Sequence, residues 1–180
     1  WKNTLHGPNR GPASLLSRGD VGHSYSWTVT PYIGVRLWPG AEAYYNPEGS
    51  QGVPFSHLMG MGGVTNGELQ RGASVPMVVY NARAFVRQTI GLGGETVRVD
   101  GRANQLAGTV DSRRLVLTGG WLSTLDLFDG NRYSHDPRTQ FMNWSLMTGG
   151  GYDFAANARG YTFGYAAEYF NNDWAVRIGR

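Results

Sequence analysis

The last segment of this 180-residue chain, GYTFGYAAEYFNNDWAVRIGR, alternates large apolar residues with small or polar ones on both sides of an Asn-Asn pair. Tyr161, Phe163, Tyr165, Ala167 and Tyr169 share one parity, and Thr162, Gly164, Ala166 and Glu168 share the other. After the pair, Trp174, Val176 and Ile178 alternate with Ala175, Arg177 and Gly179. A period of two over such a run predicts strands, not a helix. A two-residue loop of Asn171 and Asn172 would pair Tyr169 with Trp174, Ala167 with Val176 and Tyr165 with Ile178. That register keeps every bulky residue on one face, whereas a slip by one residue would mix the faces. Asn tolerates the positive φ that a type I′ turn needs, so the segment reads as a β-hairpin.

Two environments fit a hairpin with a heavily aromatic face. A soluble sandwich turns that face inward, and a membrane barrel turns it toward lipid. Apolar residues make up 41% of the chain, an ordinary share for a soluble protein, and no run is long enough for a transmembrane helix. A membrane barrel survives that test, because its strands are each weakly hydrophobic. The 27 glycines and 13% aromatic residues fit a sheet with many tight turns. Without cysteine there is no disulfide framework and no thiolate chemistry.

The net charge is +3. A basic balance raises the question of nucleic acid. The positive residues are scattered, and all but Lys2 are arginine, so no basic run marks a nucleic-acid surface.

Along the chain, residues 1–22 read as irregular, with a short helix at Ser14–Arg18 and no visible leader. The stretch SYSWTVTPYIGVRLWPGAEAYYNPE follows. Trp27, Val29, Ile33, Val35 and Leu37 lie on one face, and Thr28, Thr30, Tyr32, Gly34 and Arg36 on the other. Pro31 predicts an edge or a bulge. A Pro39-Gly40-Ala41 loop would pair Leu37 with Ala43 and Val35 with Tyr45, with Arg36, Glu42 and Tyr44 on the polar face.

Residues 48–76 are glycine-rich, and GVTNGELQRGA reads as a long loop. In MVVYNARAFVRQTIGLGGE the β-branched residues and later glycines favour a strand that places Arg83, Phe85 and Arg87 together. ETVRVD is a short strand, and RRLVLTGGWL is another with Leu115, Leu117 and Trp121 on one side. GNRYSHDPRTQ is a loop by its turn residues, and FMNWSLM is a strand or a short helix. The total is about eight or nine strands, and the chain is all-β. Loops of this length and a final strand without a closing partner predict part of a larger barrel.

Several stretches together resemble one family. LWPGAEAYYNPEGSQG, GVTNGELQRGA, ARAFVRQTIGLGGE, NQLAG, LDLFDGNRYSHDPRTQFMNWSLM and YDFAANARGYTFGYAAEY are similar, in order and spacing, to segments of the carbohydrate-selective porin family (OprB-type) of Gram-negative outer membranes. The resemblance runs from about residue 30 to the end. It implies the N-terminal portion of an antiparallel transmembrane barrel of about sixteen or more strands, with residues 23–180 as barrel and residues 1–22 ahead of it. It implies passive, selective diffusion of carbohydrates or similar small polar solutes across an outer membrane, with no cofactor and no bond broken. Partners would be the sugars, outer-membrane lipid and, in one arrangement, further copies of the chain. Tyr161 and Tyr169 would then mark the rims of the apolar band, about 19 Å apart at about 3.3 Å per residue and a tilt of about 45°. The Asn-Asn turn would be periplasmic.

In a pore the working residues line the lumen, and parity assigns Thr28, Thr30, Tyr32, Arg36, Glu42, Tyr44, Arg83, Arg87, Glu168 and Arg177 to it. Arginine donors and carboxylate acceptors suit sugar hydroxyls, and aromatic rings suit sugar ring faces. The same charges could simply pair across strands, as Glu168 and Arg177 would on a diagonal. The densest polar cluster, LFDGNRYSHDPR, carries Asp126, Asp129, Arg132, His135, Asp136 and Arg138. It predicts either an inward loop that narrows the pore or a solvated loop held by its own ion pairs.

Other chemistry has little support. His6, His23, His57 and His135 lack metal-ligand spacing. No G-x-S-x-G is present. The glycines at Gly91, Gly93 and Gly94 do not open a dinucleotide-binding helix. The competing function is a secreted soluble β-sandwich that binds or hydrolyses carbohydrate, with the same aromatics as its core.

Overall fold

The computed structural model describes residues 25–52, 74–128, 130–131, 133, 140 and 154–180. The segments expected at 14–18, 63–73 and 141–147 therefore lie outside the described residues. Nine strands and one short helix are seen among those described. They are β1 (Ser26–Val29), β2 (Ile33–Trp38), β3 (Ala41–Gly52), β4 (Ser74–Gly91), β5 (Thr96–Val99), β6 (Gly108–Asp111), β7 (Arg113–Leu122), α1 (Leu125–Phe128), β8 (Thr162–Asn171) and β9 (Trp174–Gly179). Seven strands form an open antiparallel sheet in the order β1-β3-β4-β7-β8-β9, with β2 also on β3, while β5 and β6 form a separate pair. The chain is all-β, as its periodicity predicts.

Two compact units divide the contacts. One holds residues 1–29, 48–80 and 130–153. In it β1 pairs with the end of β3, Ser26 opposite Gly52 and Val29 opposite Gly49. Trp27 Nε1 donates to Gln51 Oε1 at 3.1 Å, and the Tyr80 hydroxyl donates to Glu48. Residues 48–52 thus belong to a strand, although their glycines left the stretch without an assignment from sequence.

The other unit holds residues 30–47, 81–129 and 154–180. β2 pairs with β3, β4 with β7, β7 with β8, and β8 with β9. The two hairpins keep the expected faces but not the expected partners. The first turns on Pro39-Gly40, which puts Val35 opposite Ala43 and Ile33 opposite Tyr45, with a bulge between Arg36 and Trp38. The second turns on Asn172-Asp173, which puts Tyr169 opposite Val176, Ala167 opposite Ile178 and Glu168 directly opposite Arg177. Each register differs from the expected one by two residues, because the residue with positive φ fixes the turn: Gly40 at 78° and Asn172 at 51°. Asn172 alone of its turn has positive φ, so the turn is not type I′.

Gly40 is required for a second reason. The Thr89 amide donates to its carbonyl at 2.7 Å, and a Cβ at Gly40 would collide with the Thr89 carbonyl oxygen. Gly40→Ala is expected to destabilise the folded protein by about 1–3 kcal/mol. An unchanged urea midpoint would count against this close approach.

The two faces of this part of the sheet have opposite character. On one stand Tyr44, Phe85, Val116, Thr118, Ala166 and Glu168, all buried. On the other stand Ile33, Val35, Tyr45, Val86, Leu117, Phe163, Tyr165, Val176 and Ile178, all exposed. Tyr165 is 59%, Trp174 51% and Ile178 72% exposed, while Glu168 is 8%. Large apolar groups face outward and a glutamate faces inward.

Aromatic side chains gather toward both ends of the exposed face. Near the tight turns are Trp38, Tyr169 and Trp174, the last two in edge contact at 5.6 Å. Toward the other end, Trp121 lies opposite Phe163. Leu117, Ala167 and Ile178 occupy the middle. Tyr161 departs from expectation. It precedes β8 and is buried, with its ring under Arg83 at 5.3 Å. The turn at Asn157–Gly160, where Gly160 has φ 89°, breaks the alternation before the strand starts. Phe163, 73% exposed, takes the outward position expected of Tyr161.

Candidate functional site

The site lies on the buried face of the second unit, where β2, β3, β4 and β8 present polar and aromatic groups on one parity. Arg83 and Arg87, four residues apart on β4, project to that face because a strand returns to the same side every second residue. Arg83 binds Asp126 with two parallel hydrogen bonds, Nε to Oδ2 at 2.6 Å and Nη2 to Oδ1 at 2.7 Å. The planar guanidinium matches the carboxylate in this geometry. Helix α1 holds Asp126 in position, and Asp126 Oδ2 also accepts from the Ser123 amide at 3.2 Å.

Arg87 lies over two rings, 5.3 Å from the centre of Tyr44 and 5.4 Å from that of Phe85. Those rings stack at 5.0 Å. Its Nη1 donates to the Asn104 carbonyl at 2.9 Å. The Tyr44 hydroxyl donates to Glu42 Oε2 at 2.5 Å and accepts from the Leu106 amide at 3.1 Å. Arg36 donates to the Ala107 carbonyl. At the tight-turn end, Arg177 Nε donates to Glu168 Oε1 at 2.7 Å, and both Arg177 and Arg114 lie over the Phe170 ring.

Arg36, Glu42, Arg83, Arg87, Asp126, Glu168 and Arg177 are thus brought to one face. Tyr32 sits in the break between β1 and β2 and is half exposed. Asp129, Asp136 and Arg138 lie outside the described residues. Of the acidic and basic cluster at 126–138, Asp126 is therefore the member whose partner is seen. Glu168 and Arg177 pair across strands, the simpler of the two roles open to them. The Arg177 side chain is 42% exposed, so a double-mutant cycle is expected to give a coupling of about 0.2–1 kcal/mol. A coupling several times larger would mean a drier site than this exposure describes.

Residue parity extended further than expected along β3. Asn46, Glu48 and Ser50 continue the buried parity of Tyr44 and are the largest fully buried side chains described. Simple alternation past Tyr44 points to them. In the second unit, Asn46 Oδ1 and Thr118 Oγ1 have no hydrogen-bond partner among the described residues. Dry burial of such atoms costs about 1–3 kcal/mol each, so this face is chemically suited to contact with water or hydroxyl groups.

Among the described residues no cluster of three or more His, Cys, Asp or Glu could hold a metal ion, and no helix is long and apolar enough to cross a membrane. The arrangement defines an all-β protein whose sheet exposes aromatic and aliphatic groups on one face and gathers charge on the other. The chain matches no family model, no curated protein and no solved structure.

Proposed function

We propose that this chain forms part of an outer-membrane channel of the carbohydrate-selective porin type, passing sugars or similar small polar solutes by passive diffusion. The observation that carries the reading is the inverted polarity of the sheet: Tyr165, Trp174, Val176 and Ile178 are exposed while Glu168 and Thr118 are buried. Each large apolar side chain left in water forfeits on the order of 1.5–3 kcal/mol. A handful of them equals the whole stability of an ordinary domain, about 5–15 kcal/mol. Hydrocarbon against that face removes the difficulty, and aromatic residues toward both ends of the strands suit the two membrane interfaces.

The buried face then lines the lumen. Arg36, Arg83 and Arg87 offer donors to hydroxyls, and the buried Tyr44–Phe85 stack supports Arg87 from beneath. Weak contact at several places suits transit better than one tight site. The remaining strands of a barrel of about sixteen would come from the rest of the full-length protein. A soluble carbohydrate-binding sandwich would need Tyr165, Tyr169 and Trp174 inside, and their exposure speaks against it.

The test is conductance of the purified full-length protein in a planar bilayer, with and without added sugar. Discrete channels with concentration-dependent block by sugar are expected. No channel activity in correctly folded protein would end the proposal.

A further inference from the structure

Three connections lie at one end of the second unit's sheet. Two are the two-residue turns at Pro39-Gly40 and Asn172-Asp173. The third joins β4 to β7 beside them: the Thr89 amide bonds the Gly40 carbonyl at 2.7 Å, and Ser112 Oγ bonds Asn172 Oδ1 at 3.0 Å. Two residues suffice for its neighbours, yet this connection contains the whole hairpin β5–β6. Ser112 and Asp111 secure its base through the Glu95 amide at 3.0 Å and the Gly93 amide at 2.8 Å.

The hairpin does not extend away from the sheet. Its tip folds back over the charged face and meets one anchor from each of three strands. Arg36 of β2 takes the Ala107 carbonyl, Tyr44 of β3 accepts from the Leu106 amide, and Arg87 of β4 takes the Asn104 carbonyl. Leu106 packs against the cluster of Tyr44, Phe85 and Leu122. Gly34 makes room for this seat: a Cβ there would come within 2.9 Å of the Tyr44 ring and 3.2 Å of Leu106 Cδ2. Asn104 turns the tip with φ 57°.

We propose that hairpin β5–β6 is a size-selecting strap at the tight-turn mouth of the pore, seated by Arg36, Tyr44 and Arg87. This rests on the channel reading above. The three anchors bind backbone groups of the tip, and the Leu106 side chain adds an apolar contact that helps to hold it against the sheet. A solute that follows the charged face past Arg87 meets the tip, and the opening left beside it fixes the largest solute that passes. Selection by size at this level is separate from the hydrogen bonding that favours sugars.

Two variants of the full-length protein test the strap. In the first, Asn-Gly replaces Asp100–Ala107, which closes Val99 against Gly108 with a two-residue turn. In the second, Leu106→Asn removes the apolar contact and leaves the hairpin its length. Folding of each is checked by its heat-dependent mobility in electrophoresis. The deletion is expected to raise single-channel conductance by about twofold or more and to admit larger oligosaccharides, with Leu106→Asn shifting both in the same direction. Folded variants whose conductance and size limit match the wild type overturn the strap and leave the channel standing. Absence of channels in the wild type overturns both.

Discussion

Leu117→Arg is expected to destabilise the full-length protein in lipid vesicles by about 2–4 kcal/mol, the cost of a basic residue on the lipid face near the middle of a membrane strand. Leu117 is central in β7, with Gln88 opposite on one side and Ala167 on the other. Its side chain points to the face that also carries Val86, Tyr165 and Ile178, and is 41% exposed. If that face met water, the same change would alter stability by no more than about 0.5 kcal/mol. The two readings therefore differ by several-fold in one measurement. Thr89→Arg is the control. Thr89 lies opposite Val116, whose side chain is on the buried face, and β4 already carries Arg83 and Arg87 on that parity. It is expected to cost less than about 1 kcal/mol. Urea titration of protein refolded into phospholipid vesicles gives both numbers. Equal, small losses at the two positions would place water on both sides of the sheet.

The polarity behind that experiment was legible in the sequence, and the strand partners were not, for one physical reason. Both hairpins were expected with registers two residues away from those observed. A slip of two moves each residue past its partner yet returns it to the same face, since side chains repeat every second residue. Tyr165, Val176 and Ile178 therefore fell on the correct side even though Tyr165 was matched to Ile178 and Ala167 to Val176. Which residue adopts positive φ decides the partners, and both Asn171 and Asn172 were chemically able to do so. The short strand TVRV was readable as extended and its partner GTVD was not assigned, and nothing local said that the loop between them would return to β3.

Sequence separation limits the rest. Asp126 and Arg83 are 43 residues apart, and Arg36 and Ala107 are 71 apart. Local pattern supplies a residue's face and not its distant neighbour. Alternation assigned Arg36, Glu42, Arg83 and Arg87 to one side because each belongs to a strand. Tyr161 failed the same test because it stands just ahead of its strand, where the turn at Gly160 has already redirected the chain. Asp126 was singled out for the density of charge around it, and its bidentate hold on Arg83 depends on helix α1, four residues with no strong signal of their own.

That pair carries the second large effect. Asp126→Asn removes a carboxylate and leaves Arg83 facing the charged side of the sheet beside the Tyr161 ring. The side chains are 18% and 29% exposed, so the loss of stability is expected near the value for a hydrogen bond to a charged group, about 1.5–3 kcal/mol, below that for a fully buried ion pair. The electrical effect is the more diagnostic. One unit charge acts on an ion about 4 Å away with about 1 kcal/mol in a fully aqueous pore, enough to change relative permeability about fivefold. Asp126→Asn is therefore expected to shift selectivity toward anions, and Arg83→Gln toward cations by a similar factor. The double variant restores the net charge, and its selectivity is expected to return close to that of the wild type. Because the Debye length is about 10 Å at 0.1 M salt and about 3 Å at 1 M, both shifts should shrink in concentrated salt. Reversal potentials across a salt gradient near 0.1 M supply the measurement. Shifts of the same sign in the two single variants, or none in either, would remove Arg83 and Asp126 from the path of permeating ions.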